Sequence, residues 1–223
     1  MNSPHRTPAR LAISSRNYSS WCLRGFLLAR LAGIDFVVEA AAADDAQARA
    51  ELLMRTASIL LPCLIDGDVT VWDTIAIAEY LNEAHPKAGM LPQDVVSRAR
   101  CRSISGEMHS GFAALRASLP MNIRARRPGF TVWSGAQTDI DRILIIWRDC
   151  FEASGGPFLF GAKPCIADAM FAPVASRFRT YDVPLDAACA RYVETIFAWP
   201  DMAEWVAEAE EEPEEIIELD VEF

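Results

Sequence analysis

The 223-residue sequence is short of the groups from which metal and disulfide sites are built. It has three histidines, and its six cysteines (22, 63, 101, 150, 165 and 189) stand apart with no CxxC pair. Neither zinc-ligand spacing nor a disulfide framework is suggested, so no metal site and reduced thiols are expected. No apolar run approaches the ~20 residues of a membrane-spanning helix. Met1-Asn2-Ser3-Pro4-His5-Arg6 leads into no signal-peptide core, so a soluble, cytoplasmic protein with no membrane partner is expected. A basic surplus is missing as well: Arg124, Arg126 and Arg127 are the cluster of cations, too few to argue for a nucleic-acid face.

What is present is apolar and acidic. A hydrophobic content of 52% excludes general disorder, and the length suffices for one large domain or two small ones. The formal charge of −10 belongs to one end of the chain: nine acids lie between Glu208 and Glu222, leaving about −1 for everything before them. The run Glu210-Glu211-Glu212-Pro213-Glu214-Glu215 reads as a solvated terminus, and the interleaved Ile216, Ile217, Leu219, Val221 and Phe223 suggest that its end packs onto the body.

Hydrophobic periodicity changes several times before residue 80 and is nearly all helical after Pro92. Leu11-Ala12-Ile13-Ser14 reads as a strand, Cys22 to Ala32 as a helix ended by Gly33, and Asp35 to Glu39 as a second strand. Ala40 to Thr56 is Ala-rich and charged, a surface helix or an irregular loop. Pro62 to Trp72 is a hairpin around Asp66-Gly67-Asp68, and Asp73-Thr74 opens a helix through Asn82, terminated by His85-Pro86. The order β-α-β-(α)-β-β-α is the layout of a thioredoxin-like domain. Beyond the linker Ala88-Gly89-Met90-Leu91-Pro92, Ile104, Met108, Phe112, Leu115 and Leu119 predict one buried helical stripe, and Ile140, Ile143, Leu144 and Trp147 another. Further helices are expected over 166–178, 185–198 and 200–209, the first apolar almost all round and so central.

The chemistry concentrates in Asn17-Tyr18-Ser19-Ser20-Trp21-Cys22-Leu23-Arg24, where a strand gives way to a helix. The leading N–H groups of a helix have no internal partners and the dipole is positive there, so a thiolate is favoured at that end. Ser19 or Ser20 also suits the plain task of an N-cap. Cys22 reads first as a small buried core residue and second as a redox thiol.

Four motifs in order resemble a glutathione transferase over essentially the whole chain. Ser19-Ser20-Trp21-Cys22-Leu23-Arg24 resembles the Ser-Ser-x-x-x-Arg opening of the zeta class, and Asn-Tyr-Ser-Ser-Trp is closer still to a bacterial branch. Leu61-Pro62 is similar to the cis-proline of thioredoxin-like folds. Trp72-Asp73-Thr74-Ile75-Ala76-Ile77 resembles the acidic-Ser-x-Ala-Ile motif, with Thr for Ser. Cys165-Ile166-Ala167-Asp168 is similar to the family's Ser/Thr-x-x-Asp capping box, with Cys for the hydroxyl. One departure is Ser58-Ile59-Leu60 ahead of Leu61-Pro62, where the family often places a Lys or Arg for a glutathione carboxylate.

The resemblance implies a thioredoxin-like domain over 8–86, an all-helical domain over 93–223, and a homodimer. It implies glutathione as co-substrate, a small electrophilic second substrate, and a transferase or isomerase activity in detoxification or of the maleylacetoacetate isomerase kind. Ser19, with Ser20 as the alternative one residue away, would stabilise the glutathione thiolate; Leu61 and Pro62 would position its cysteinyl backbone; Asp73 and Thr74 would hold its γ-glutamyl group. Trp21, Met108, His109 and Arg124 are the candidates for the electrophile pocket, with Trp133 at its edge. Two rival readings stay open: a non-catalytic binding or assembly module on the same fold, and a Cys22-based thiol reductase or peroxidase, which requires that thiol to be exposed.

Overall fold

The computed structural model describes residues 8–40 and 60–213. The expectation for Ala40 to Thr56 lies outside these residues after Ala40, as does the one for the chain end from Glu214 onward. Four strands, β1 (Ala9–Ile13), β2 (Phe36–Ala40), β3 (Cys63–Asp66) and β4 (Val69–Trp72), form one sheet in the order β2-β1-β3-β4. β1 is parallel to β2 and antiparallel to β3, with Leu11 facing both Val38 and Leu64 across the two ladders. Its central place explains the run of buried residues read in the sequence. β3 and β4 form the expected hairpin, with Asp66 paired to Val69 so that Gly67-Asp68 makes the turn and Gly67 supplies φ +62.

Helix α1 (Ser20–Ala32) begins at Ser19, whose hydroxyl accepts the Cys22 N–H, and stops at Gly33 in the left-handed conformation. It is buried on most of its surface because it lies between the sheet and a helix of the second half, α6 (Ile166–Thr180). α2 (Thr74–Ala84) follows β4, and a single 3-10 turn at Pro86–Ala88 leads out of the mixed region. The remainder is helical: α3 (Val95–Ser110), α4 (Ala113–Ser118), α5 (Ser134–Ser154), then α6, α7 (Ala187–Ala198) and α8 (Pro200–Glu210).

The stripe from Ile104 to Leu119 is buried as expected, yet it is not one helix. Gly111 is extended, Phe112 takes φ +61, and the chain restarts as α4. Two contacts explain the break. The Gly111 N–H donates to the Glu107 carbonyl, and a Cβ at Gly111 would sit 2.7 Å from that oxygen. The free Leu115 N–H of the new helix donates to Asp139 of α5 at 2.9 Å, so the cap comes from another helix.

At the head of α6 the capping box closes in both directions: the Cys165 side chain meets the Asp168 N–H, and Asp168 returns the contact. Its carboxylate accepts the N–H groups of Cys165 (2.9 Å) and Leu159 (3.0 Å) and the Tyr192 hydroxyl (3.0 Å), all buried. Burial raises the Asp168 pKa, and the hydrogen bonds from Leu159, Cys165 and Tyr192 oppose that shift. No helix among the described residues is long and apolar enough to cross a membrane.

Candidate functional site

A cavity of about 320 Å³ opens where the first turns of α1 and α2 meet the end of α3. Trp21, Leu60, Leu61, Pro62, Asp73, Thr74, His109 and Ser110 line it. Three motifs, the first and last more than 50 residues apart in the sequence, are thus brought to one place.

Ser19 and Ser20 stand immediately before Trp21. Ser19 is half-buried and Ser20 is buried. The Ser19 oxygen accepts the Cys22 N–H at 3.3 Å, which is the plain capping role. The Ser19 hydroxyl is also hydrogen-bonded to the Cys22 thiol, so the proton it would donate to an anion at the helix N-terminus is shared with that sulfur. Cys22 lies in the first turn of α1. It is fully buried among the core of α1, and burial raises its thiol pKa against the hydrogen bonds of Ser19 and Ser14. The exposed thiol that a Cys22-based reductase needs is absent, and all six cysteines are buried and free.

The Leu61-Pro62 bond is cis. Leu61 precedes β3 by two residues and lies outside its ladder, so the sheet does not use its backbone N–H and C=O. Pro62 is seated against Gly25 of α1: a Cβ there would lie 2.6 Å from Pro62 Cγ. Gly25 was not read as a site residue. Nothing in a lone glycine within a helical run shows that it makes room for a residue 37 positions away.

Asp73 caps α2, its Oδ1 accepting the Ile75 N–H at 2.8 Å, with φ +75 and ψ 131. That backbone region is costly for any residue but glycine, by about 1–3 kcal/mol, and persists where the surroundings over-determine it. Oδ2 of Asp73 accepts from His109 Nε2 at 3.1 Å. With the proton on Nε2, the Thr74 hydroxyl donates to Nδ1 at 3.4 Å. His109 therefore ties the end of α3 to both residues of the α2 motif, and its ring meets Trp21 edge-on at 5.2 Å.

Trp21 is also the contact surface for two guanidinium groups, Arg24 at 4.7 Å and Arg116 at 4.9 Å from its ring centre. Arg24 is fully buried; its Nε donates to the Met170 carbonyl at 2.8 Å, while among the described residues Nη1 has no acceptor. Burial, then the charges of Arg116 and Arg177, pulls its pKa well below the usual arginine range. Arginine keeps its proton in proteins, so the consequence is a concentration of positive charge behind the Trp21 wall.

Neither Ser19 nor Ser20 is among the residues that line this cavity, and Met108, Arg124 and Trp133 are not brought to it. Met108 belongs to the buried stripe and packs in the core, where its sulfur and carbonyl meet Arg116. The Arg124 guanidinium donates to the Glu212 carbonyl at 2.8 Å, so its partner is the chain's own C-terminal segment. Trp133 is exposed and lines a different cavity, with Arg127, Pro128 and Phe130.

The model of the glutathione S-transferase N-terminal domain matches residues 18–84, and that of the glutathione S-transferase C-terminal domain matches residues 130–208. A probable maleylacetoacetate isomerase of Caenorhabditis elegans is 26% identical over 168 residues, 73% of this chain and 77% of that one. The maleylacetoacetate isomerase of Rattus norvegicus is 30% identical over 121 residues, 54% of each chain, so the match spans about half of that relative. A glutathione transferase homolog from Burkholderia gl BGR1, solved with bound glutathione, superposes with a TM-score of 0.69 at 24% identity, covering 92% of this chain and 100% of that one. With both domain models matched in order, a four-stranded mixed sheet and a helical second half, the chain belongs to the glutathione transferase superfamily.

Proposed function

We propose that this protein binds glutathione at the α1–α2 cavity and uses its thiolate to conjugate or isomerise a small electrophile. The observation that carries the reading is the convergence of Leu61-Pro62, Asp73-Thr74 and the N-terminus of α1 on one cavity. Residues 8–86 form the glutathione-binding unit and 93–223 the helical unit. Ser19 donates its hydroxyl hydrogen to the thiolate and so favours the ionised form, with Ser20 the alternative. The N–H and C=O of Leu61, which the sheet ladders do not use, suit the backbone of the cysteinyl residue. Asp73 suits the γ-glutamyl ammonium: a carboxylate offers about four lone-pair positions, and Ile75 and His109 occupy two.

The relatives named maleylacetoacetate isomerase support isomerisation as one form of the chemistry. Holding thiol and electrophile together and ionising the thiol suffice for either form. Trp21 and His109 are the residues here that face the electrophile. We place the protein in the cytoplasm, a reading supported by its free, buried thiols, and, from its family, assign it a homodimer and a role in detoxification. The test is a thermal shift with glutathione. At one hundred times the dissociation constant, binding should stabilise the protein by about 2.7 kcal/mol. Unchanged melting at millimolar glutathione, with no heat of binding, would support the non-catalytic reading instead.

A further inference from the structure

The acidic C-terminal segment is not simply solvated. Glu212 reaches back to the turn between β1 and α1, nearly 200 residues earlier in the chain. Its Oε2 accepts the Ser15 hydroxyl at 2.7 Å and the Asn17 N–H at 2.9 Å, and its Oε1 accepts the Arg16 N–H at 2.9 Å. Two of the three donors are backbone groups of a turn in which Ser15 and Asn17 are buried.

The same turn carries Ser19. The Ser15 oxygen accepts the Tyr18 N–H at 3.1 Å, and the Ser15 carbonyl accepts the Ser19 N–H at 3.3 Å. From the carboxylate of Glu212 to the backbone of Ser19 there is thus one intervening residue. The surroundings brace both partners. Arg124 donates from its guanidinium to the Glu212 carbonyl (2.8 Å) and from its N–H to the Asn17 side chain (3.0 Å). On α8, Trp205 Nε1 donates to the Arg16 carbonyl at 3.0 Å, and Glu208 accepts from Arg16 Nε at 2.7 Å.

We propose that Glu212 is a positioning residue: its carboxylate, seated on the Ser15–Asn17 turn, fixes the loop that presents Ser19 to glutathione. This rests on the reading of Ser19 given above. An exposed ion pair would contribute little. Here removal of the carboxylate strands buried donors of the turn itself, which is the costly case. Gln at this position puts an NH2 group where an acceptor oxygen stands, so it opposes an N–H instead of receiving it.

The test uses the full chain and two measurements. Backbone amide exchange in Glu212→Gln should show protection at residues 16–19 falling about tenfold or more, the scale of a charge-assisted hydrogen bond. The exposed neighbour Glu211→Gln should leave it unchanged. In glutathione-saturated Glu212→Gln, the bound thiol should titrate at higher pH, moving in the direction of Ser19→Ala; a merely structural role lowers melting without moving that titration. Ser15→Ala removes one donor of three and also the acceptor of the Tyr18 N–H, so it is read at residues 16 and 17, where it should give the same loss at smaller amplitude if Glu212→Gln does not fold. Unchanged exchange at 16–19, loss spread evenly over the molecule, or local loss with an unmoved titration would overturn the proposal. Absence of any thiolate signal in the unaltered protein would overturn the Ser19 reading instead, and the exchange pattern alone would then decide the role of Glu212.

Discussion

Asp73 carries two loads that a single substitution separates. As N-cap it accepts the Ile75 N–H, and as a carboxylate it faces His109 and the cavity. Asn caps about as well as Asp and tolerates positive φ better than most residues. Asp73→Asn should therefore leave melting nearly unchanged while weakening glutathione binding about 10- to 100-fold, the worth of a charge-assisted contact. Calorimetric titration of both proteins measures it; equal affinities would assign Asp73 to capping alone. The residue pair Asp73-Thr74 was legible because a motif carries it. His109 was legible only as a pocket candidate. Its two bonds to that pair depend on how α3 crosses the head of α2, which spacing does not record.

Among the elements, α1 is the one on which the site is built. Its N-terminus holds Ser19, its first turn holds Trp21, and its second turn carries Gly25 against Pro62. In an ordinary helix, alanine in place of glycine gains about 1 kcal/mol. At position 25 the new Cβ would meet Pro62 at 2.6 Å, and overpacking of this kind costs about 1–3 kcal/mol. Gly25→Ala should accordingly lower the melting temperature and the glutathione affinity together, since Pro62 and Leu61 must shift. A stabilised variant with unchanged affinity would show that this contact does not position the cavity. Element boundaries were legible wherever a cap is local, as at Ser19, Gly33 and Asp73. They failed between α3 and α4, where apolar spacing continues through the break. There the reasons lie in the Glu107 carbonyl and in Asp139 of another helix.

At the scale of the whole molecule, the site belongs to neither half alone. The sheet side supplies Leu61, Pro62, Asp73 and Thr74 to the cavity lining and, on the proposed reading, Ser19 two residues before Trp21. The helical side supplies His109, the guanidinium of Arg116 against Trp21, and the Glu212 clasp on the Ser15–Asn17 turn. The order of strands and helices, the hairpin and the central helix α6 could be read from periodicity and turn residues. The clasp could not, because a glutamate in an acidic run looks like every other one until the fold shows which reaches a buried turn. The buried charges of Arg24 and Arg177 were equally hidden, although Arg24 stood in the motif. The N-terminus of α1 favours an anion near Ser19. The most direct test of the account is the absorbance titration of enzyme-bound glutathione against pH, in the unaltered protein and in Ser19→Ala, Ser20→Ala and Cys22→Ala. The bound thiol should ionise below the ~8.5 of a free cysteine. Ser19→Ala should raise that value and slow addition to a generic electrophile, and Cys22→Ala should change neither. A bound thiol that ionises no more readily than a free one, or a titration that Ser19→Ala leaves in place while Cys22→Ala abolishes activity, would contradict the account.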